Sequence, residues 1–103
     1  MPDGTTDDQL QNFLFDLDKV IAARKLEKPE NSYTAKLFQG GIDRLLQKVG
    51  EESIEYILEA KNNDRERTIS EAADLLFHFL VSLHGINLSL NDVLAELRKR
   101  HKK

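Results

Sequence analysis

Apolar residues in this chain recur at helical spacing, and no convincing strand-like alternation interrupts them. Leu10, Phe13, Leu14, Leu17, Val20 and Ile21 follow an i, i+3, i+4, i+7 pattern, which puts them on one face of a helix over roughly residues 7–24. Thr6, with Gln9 three residues on, has the form of a capping box at its start. The segment KLEKPENSYT breaks the pattern, with Pro29 and Asn31 marking a loop. A short helix begins near Tyr33 and stops at Gly40 and Gly41. Ile42, Leu45, Leu46, Val49, Tyr56, Ile57 and Ala60 share one face of a third helix, about 42–61. Residues 62–64 form a turn. The most apolar stretch, LLFHFLVSL, belongs to a fourth helix, about 65–84, which Gly85 ends. Ser89 and Asp92 form a second capping box, opening a last helix through Arg100. The expectation is an all-α domain, a bundle of four to five helices with antiparallel neighbours across short turns. Residues 1–6 and 101–103 are expected to be flexible tails.

Composition narrows the function classes. A chain of 103 residues fits one domain, here 1–103. With 40% hydrophobic and 32% charged residues it is a soluble globular type, too apolar to be disordered. A net charge of -3 gives no general pull toward nucleic acid or an anionic membrane. No apolar run approaches membrane-spanning length, and MPDGTTDDQL lacks the basic-then-apolar layout of a signal peptide. The expected compartment is therefore the cytoplasm. The absence of cysteine excludes disulfides and thiolate metal sites.

The segment KVGEESIEY crowds acids beside core positions. At about 100° per residue, Lys48, Glu52, Glu55 and Glu59 fall in one stripe bordering the apolar face of the third helix, with Glu51 further toward solvent. Glu71, Asp74 and His78 form a second stripe on the fourth helix. Taken singly, these features have ordinary readings. An acidic run is usually a solvated face, Lys48 is an i, i+4 partner of Glu52, and a lone buried His is usually a hydrogen-bonded core residue. Together they say more. Two i, i+3 acid pairs, Glu52/Glu55 and Glu71/Asp74, stand on consecutive helices joined by a short turn. Four converging carboxylates repel unless a hard cation such as Mg²⁺ or Mn²⁺ sits among them. A di-iron centre would call for Glu-x-x-His on two helices, a pattern this chain lacks. Phosphate chemistry is favoured.

The pattern E-x-x-E, fifteen residues, E-x-x-D resembles the all-α nucleoside triphosphate pyrophosphohydrolases of the MazG-like superfamily. The surrounding text is more specific. SYTAKL at Ser32 to Leu37, K-x-x-E-E-x-x-E at Lys48 to Glu55, and E-A-A-D-L-x-x-H at Glu71 to His78 resemble phosphoribosyl-ATP pyrophosphohydrolase, the second enzyme of histidine biosynthesis. The likeness covers about residues 10–100. Phe77 stands where family members often carry Tyr. The family's frequent fusion partner, a cyclohydrolase, is not seen in this sequence, so a monofunctional form is expected.

The resemblance implies hydrolysis of phosphoribosyl-ATP to phosphoribosyl-AMP and pyrophosphate. Glu52, Glu55, Glu71 and Asp74 would hold Mg²⁺, or Mn²⁺. A water at the site would be the nucleophile. Glu51 and Glu55 are the candidate catalytic carboxylates, with Glu51 as base or as an outer orienting group. Lys48 would contact a phosphate oxygen. Arg24, Ser32, Tyr33, Lys36 and His78 are the further substrate-binding candidates. His84 and His101 carry no functional expectation. One competing reading is a house-cleaning enzyme of the same superfamily acting on free nucleotides. Another is a non-catalytic helical dimerisation module. A homo-oligomer, at least a dimer, is expected, because Phe77, Phe79, Leu80, Val81 and Leu83 span more than half the circumference of the fourth helix, and the resemblance also implies a dimer.

Overall fold

The computed structural model describes residues 4–101. They form α1 (Asp7–Glu27), α2 (Tyr33–Gln39), α3 (Ile42–Lys61), α4 (Arg65–Gly85) and α5 (Leu90–Arg100), with no strand among the described residues. The all-α expectation holds. Residues 1–3 and 102–103 of the expected tails lie outside the described residues.

The helix boundaries follow local chemistry. Thr6 Oγ1 accepts from the Gln9 amide at 3.2 Å, and Gln9 Oε1 accepts from the Thr6 amide at 2.9 Å, so the first capping box closes in both directions. Thr6, at the end of the expected tail, is thereby the N-cap of α1. Ser32 Oγ accepts from the Ala35 amide at 3.1 Å and opens α2. Gly41 enters α3 at φ 85°, a conformation that suits glycine. Asp64 caps α4 through the Arg67 amide, 3.1 Å. At α5, Asp92 Oδ2 accepts from the Ser89 amide at 2.9 Å. Helix α1 runs one turn further than its apolar stripe predicts, ending with Lys28 in the left-handed region at φ 52°.

Helices α3 and α4 pack back along each other as a hairpin around Asn63, the most extensive helix–helix contact in the chain. The core gathers Ile21, Leu37, Leu45, Leu80, Val81, Leu83 and Leu90. Helix α1 is also strapped to the far end of α4. His84 Nε2 lies 2.8 Å from Asp18 Oδ1, and Lys25 Nζ donates to the His84 carbonyl at 2.6 Å and to Asn87 Oδ1 at 2.8 Å. Asp18 sits on the apolar stripe of α1 between Leu14, Leu17 and Ile21, and the pairing explains how a carboxylate is tolerated there.

Gly85 is the last residue of α4, as its position suggests, but its part in the fold is to allow close packing. A Cβ there would meet Leu45 Cδ1 at 2.7 Å and Ile42 Cδ1 at 3.3 Å. Leu45 is 2% exposed and has little room to yield. Gly85→Ala should therefore lower stability by about 1–2 kcal/mol, since overpacking outweighs the gain in helix propensity. Urea denaturation with an unchanged m-value checks this.

The chain leaves much apolar surface uncovered. Its radius of gyration is 15.1 Å, against about 13 Å for a compact domain of this length. Helix α5 turns away from α4 by 104°. Leu46 and Ile57, expected on the core face of α3, are 51% and 58% exposed. Phe13 on α1 is 59% exposed. Among the described residues, no single helix is long and apolar enough to cross a membrane.

Candidate active site

The hairpin register builds the site. Glu55 stands eight residues before Asn63 and Glu71 eight after, while Glu52 and Asp74 stand eleven before and eleven after. Antiparallel packing sets each pair at one level. Carboxylate oxygens of Glu52, Glu55 and Glu71 lie within 4.8 Å of one another. Glu52 is buried, Glu71 half-buried and Glu55 exposed. Asp74 is exposed and stands outside this group of three. Three of the four expected carboxylates thus converge, and the charge of the fourth, Asp74, acts on Glu71.

The oxygens are unevenly satisfied. Lys48 Nζ reaches Glu52 Oε1 at 3.4 Å. Glu52 Oε2 and Glu71 Oε2 are both enclosed and have no hydrogen-bond partner. Such orphaned acceptors are costly in a folded protein. The Glu71 carboxyl is held above its ordinary value of 4.5, first by burial, then by a hydrogen bond with Glu55 and by the negative charges of Glu55, Asp74 and Glu52. Two enclosed carboxylate oxygens of the group are thus left without a partner from the protein itself.

The other expected residues surround this centre unequally. Glu51 stands outside the group of three, with Gln47 Nε2 at 3.4 Å, Arg44 at 3.9 Å and Lys48 at 4.0 Å. His78 is buried one turn beyond Asp74, its Nε2 3.0 Å from the Tyr33 hydroxyl. Ser32 is spent as the cap of α2. Lys36, one turn along α2 from Tyr33, is exposed and has no ion pair among the described residues. Arg24 pairs with Glu27 at 3.5 Å. Sequence reasoning did not anticipate the Tyr33–His78 pair, nor Asp18 and Lys25 as partners of α4. Of these, only Asp18 carries a signal, as an acid on an apolar stripe.

The profile of the family described as phosphoribosyl-ATP pyrophosphohydrolase matches residues 14–101, a span that includes both acid stripes and SYTAKL. The chain belongs to this family. It is similar to the histidine biosynthesis bifunctional protein HisIE of Bacillus subtilis (strain 168), 54% identical over 86 residues, covering 84% of this chain and 41% of that protein. The HisIE of Yersinia pestis is 47% identical over 92 residues, covering 89% of this chain and 45% of that protein. The HisIE of Vibrio vulnificus (strain YJ016) is 44% identical over 101 residues, covering 97% and 48%. The chain thus spans less than half the length of these relatives. Within the phosphoribosyl-ATP pyrophosphohydrolase family, its acid cluster is the natural place to look for the chemistry.

Proposed function

We propose that this chain hydrolyses phosphoribosyl-ATP at its α–β phosphoanhydride, giving phosphoribosyl-AMP and pyrophosphate, the second step of histidine biosynthesis. The observation that carries the reading is the pair of enclosed, unpartnered oxygens, Glu52 Oε2 and Glu71 Oε2, within a group of three carboxylates. All-oxygen anionic donors suit Mg²⁺, with Mn²⁺ as an alternative. Glu52, Glu55 and Glu71 would hold the cation, and Asp74 would join them through a modest side-chain movement. When bound, it supplies charge neutralisation to the triphosphate and orients it for in-line attack.

The remaining roles fall to this chain's own groups. Glu55, the exposed member of the three, is the carboxylate we propose takes a proton from the attacking water. Lys48 is held between Glu51 and Glu52 at 4.0 and 3.4 Å, which keeps its ammonium at the edge of the centre, and its proposed role is to contact a phosphate oxygen of the substrate. Glu51 serves as the orienter of Lys48. Arg24 and Lys36 are the cations proposed for the other phosphates of the substrate. Action on a soluble nucleotide fits the cytoplasm. The protein is further proposed to work as a homodimer, supported by its open shape and uncovered apolar faces.

Substrate choice tests the reading. The chain should turn over phosphoribosyl-ATP at least about a hundredfold more efficiently than ATP or other free nucleoside triphosphates, because contacts to the phosphoribosyl group add binding that those lack. Equal kcat/KM values would instead make it a house-cleaning enzyme with the same acid centre.

A further inference from the structure

We propose that Tyr33 and His78 act as one positioning unit that fixes α2 against the acid-bearing helix α4, and that neither side chain binds substrate directly. The inference rests on the pyrophosphohydrolase reading for its kinetic consequences.

The hydrogen-bond chemistry of His78 leads to it. Nδ1 lies 2.7 Å from the Asp74 carbonyl. A carbonyl only accepts, so Nδ1 carries a proton. In the neutral ring Nε2 is then an acceptor, and the Tyr33 hydroxyl 3.0 Å away donates to it. Both ring nitrogens are thus used inside the protein. His78 is 6% exposed and has no free atom to offer a phosphate or a cation. Tyr33 spends its only proton on the same bond.

The rings reinforce this arrangement. Tyr33 stacks on Phe77 at 6.2 Å and 24°, and His78 meets both edge-on, at 6.1 Å from Tyr33 and 5.2 Å from Phe77. Three aromatic rings therefore join the first residue of α2 to the turn of α4 that holds Asp74. Lys36 lies on the same side of α2, one turn on. By fixing the start of α2 against α4, the Tyr33–His78 bond would also fix the backbone that carries Lys36. Loss of the bond should weaken substrate binding while leaving the acid centre intact.

A double-mutant cycle with Tyr33→Phe and His78→Phe separates this from direct binding. Each single change should raise KM for phosphoribosyl-ATP about five- to tenfold with kcat within about twofold, the pattern of lost uniform binding. The double variant should be no worse than the poorer single one. Multiplied effects in the double variant would mean that each residue meets substrate separately and would overturn the proposal. An unchanged KM with a lowered melting temperature would overturn it too, leaving a purely structural contact. If His78→Phe fails to fold, Tyr33→Phe, which keeps the ring, carries the kinetic test.

A second readout does not depend on activity. Nitrogen-15 NMR of the wild-type His78 ring should show a protonated Nδ1 and a bare Nε2 whose shift moves in Tyr33→Phe. A protonated Nε2, or no response to Tyr33→Phe, would overturn the pairing. If the wild-type chain leaves phosphoribosyl-ATP intact while the NMR result holds, the failure belongs to the assigned reaction and the pairing stands.

Discussion

Glu71→Gln should lower the proposed turnover of phosphoribosyl-ATP by at least about a hundredfold and at the same time make the metal-free protein more stable at neutral pH. The first effect follows because several kcal/mol of charge stabilisation at the triphosphate depends on the cation these acids hold, and each 1.36 kcal/mol is a factor of about ten. The second follows from the unusual state of Glu71. Its carboxyl titrates above 4.5 because of burial, the hydrogen bond with Glu55 and the neighbouring negative charges. The folded state therefore binds this proton more tightly than the unfolded chain does. That contribution to stability is fully present below about 4.5 and is lost as pH rises through the raised value of the folded protein. In chelator, the wild-type denaturation midpoint should fall across that window, and Glu71→Gln should remove the fall. Asp74→Asn, at an exposed position outside the group of three, should cost less activity, about tenfold. A Glu71→Gln protein with wild-type turnover at limiting Mg²⁺ would remove the acid centre from the mechanism.

Leu76→Glu should convert the protein to monomers of 11.8 kDa in sedimentation equilibrium at micromolar concentration, where the proposed wild-type dimer should sediment at twice that mass. Leu76 is 44% exposed and lies between two apolar clefts. One, between α1 and α4, is lined by Leu10, Phe13, Leu14, Ala73 and Phe77; the other, between α3 and α4, by Val49, Tyr56, Ala72, Leu75 and Phe79. The two clefts share Leu76 and make one apolar surface across the bundle. Covering even a few hundred Å² of it is worth several kcal/mol at about 25 cal/mol per Å². A two-fold axis covers it with a second copy of the same patch. Because Leu76 is not part of the monomer core, the substitution should leave helicity intact. A wild-type monomer with full activity would defeat this expectation.

The parts of the fold that were legible in the sequence are the local ones. Thr6 with Gln9 and Ser89 with Asp92 act over three residues; the first box closes in both directions, and at the second Asp92 Oδ2 accepts from the Ser89 amide and hydroxyl. Glu55 and Glu71 face each other because a short turn and an antiparallel return fix their level, and both facts can be read from spacing. Contacts across long separations left no such trace. The Tyr33–His78 and Asp18–His84 bonds span 45 and 66 residues. Nothing in the periodicity says which helices will meet there. Gly85 reads as a helix stop, while its packing role depends on where Leu45 arrives. Leu46 and Ile57 read as core because a helical wheel records polarity and not coverage. Their exposure reflects the open shape of the single chain. Asp74 matched the spacing of the acid cluster, yet its carboxylate stands outside the group of three, since spacing fixes a helix face and not the side-chain reach.

The central claim is that an acid centre on the α3–α4 hairpin uses a divalent cation to split the α–β bond of phosphoribosyl-ATP. Phosphorus-31 NMR of the products tests it most directly, with the chain assayed in Mg²⁺, in chelator, and after Mg²⁺ is restored. Pyrophosphate and phosphoribosyl-AMP should appear in equal amounts with Mg²⁺, vanish in chelator and return on restoration. Release of orthophosphate, or pyrophosphate formation that chelator leaves unchanged, would contradict the account.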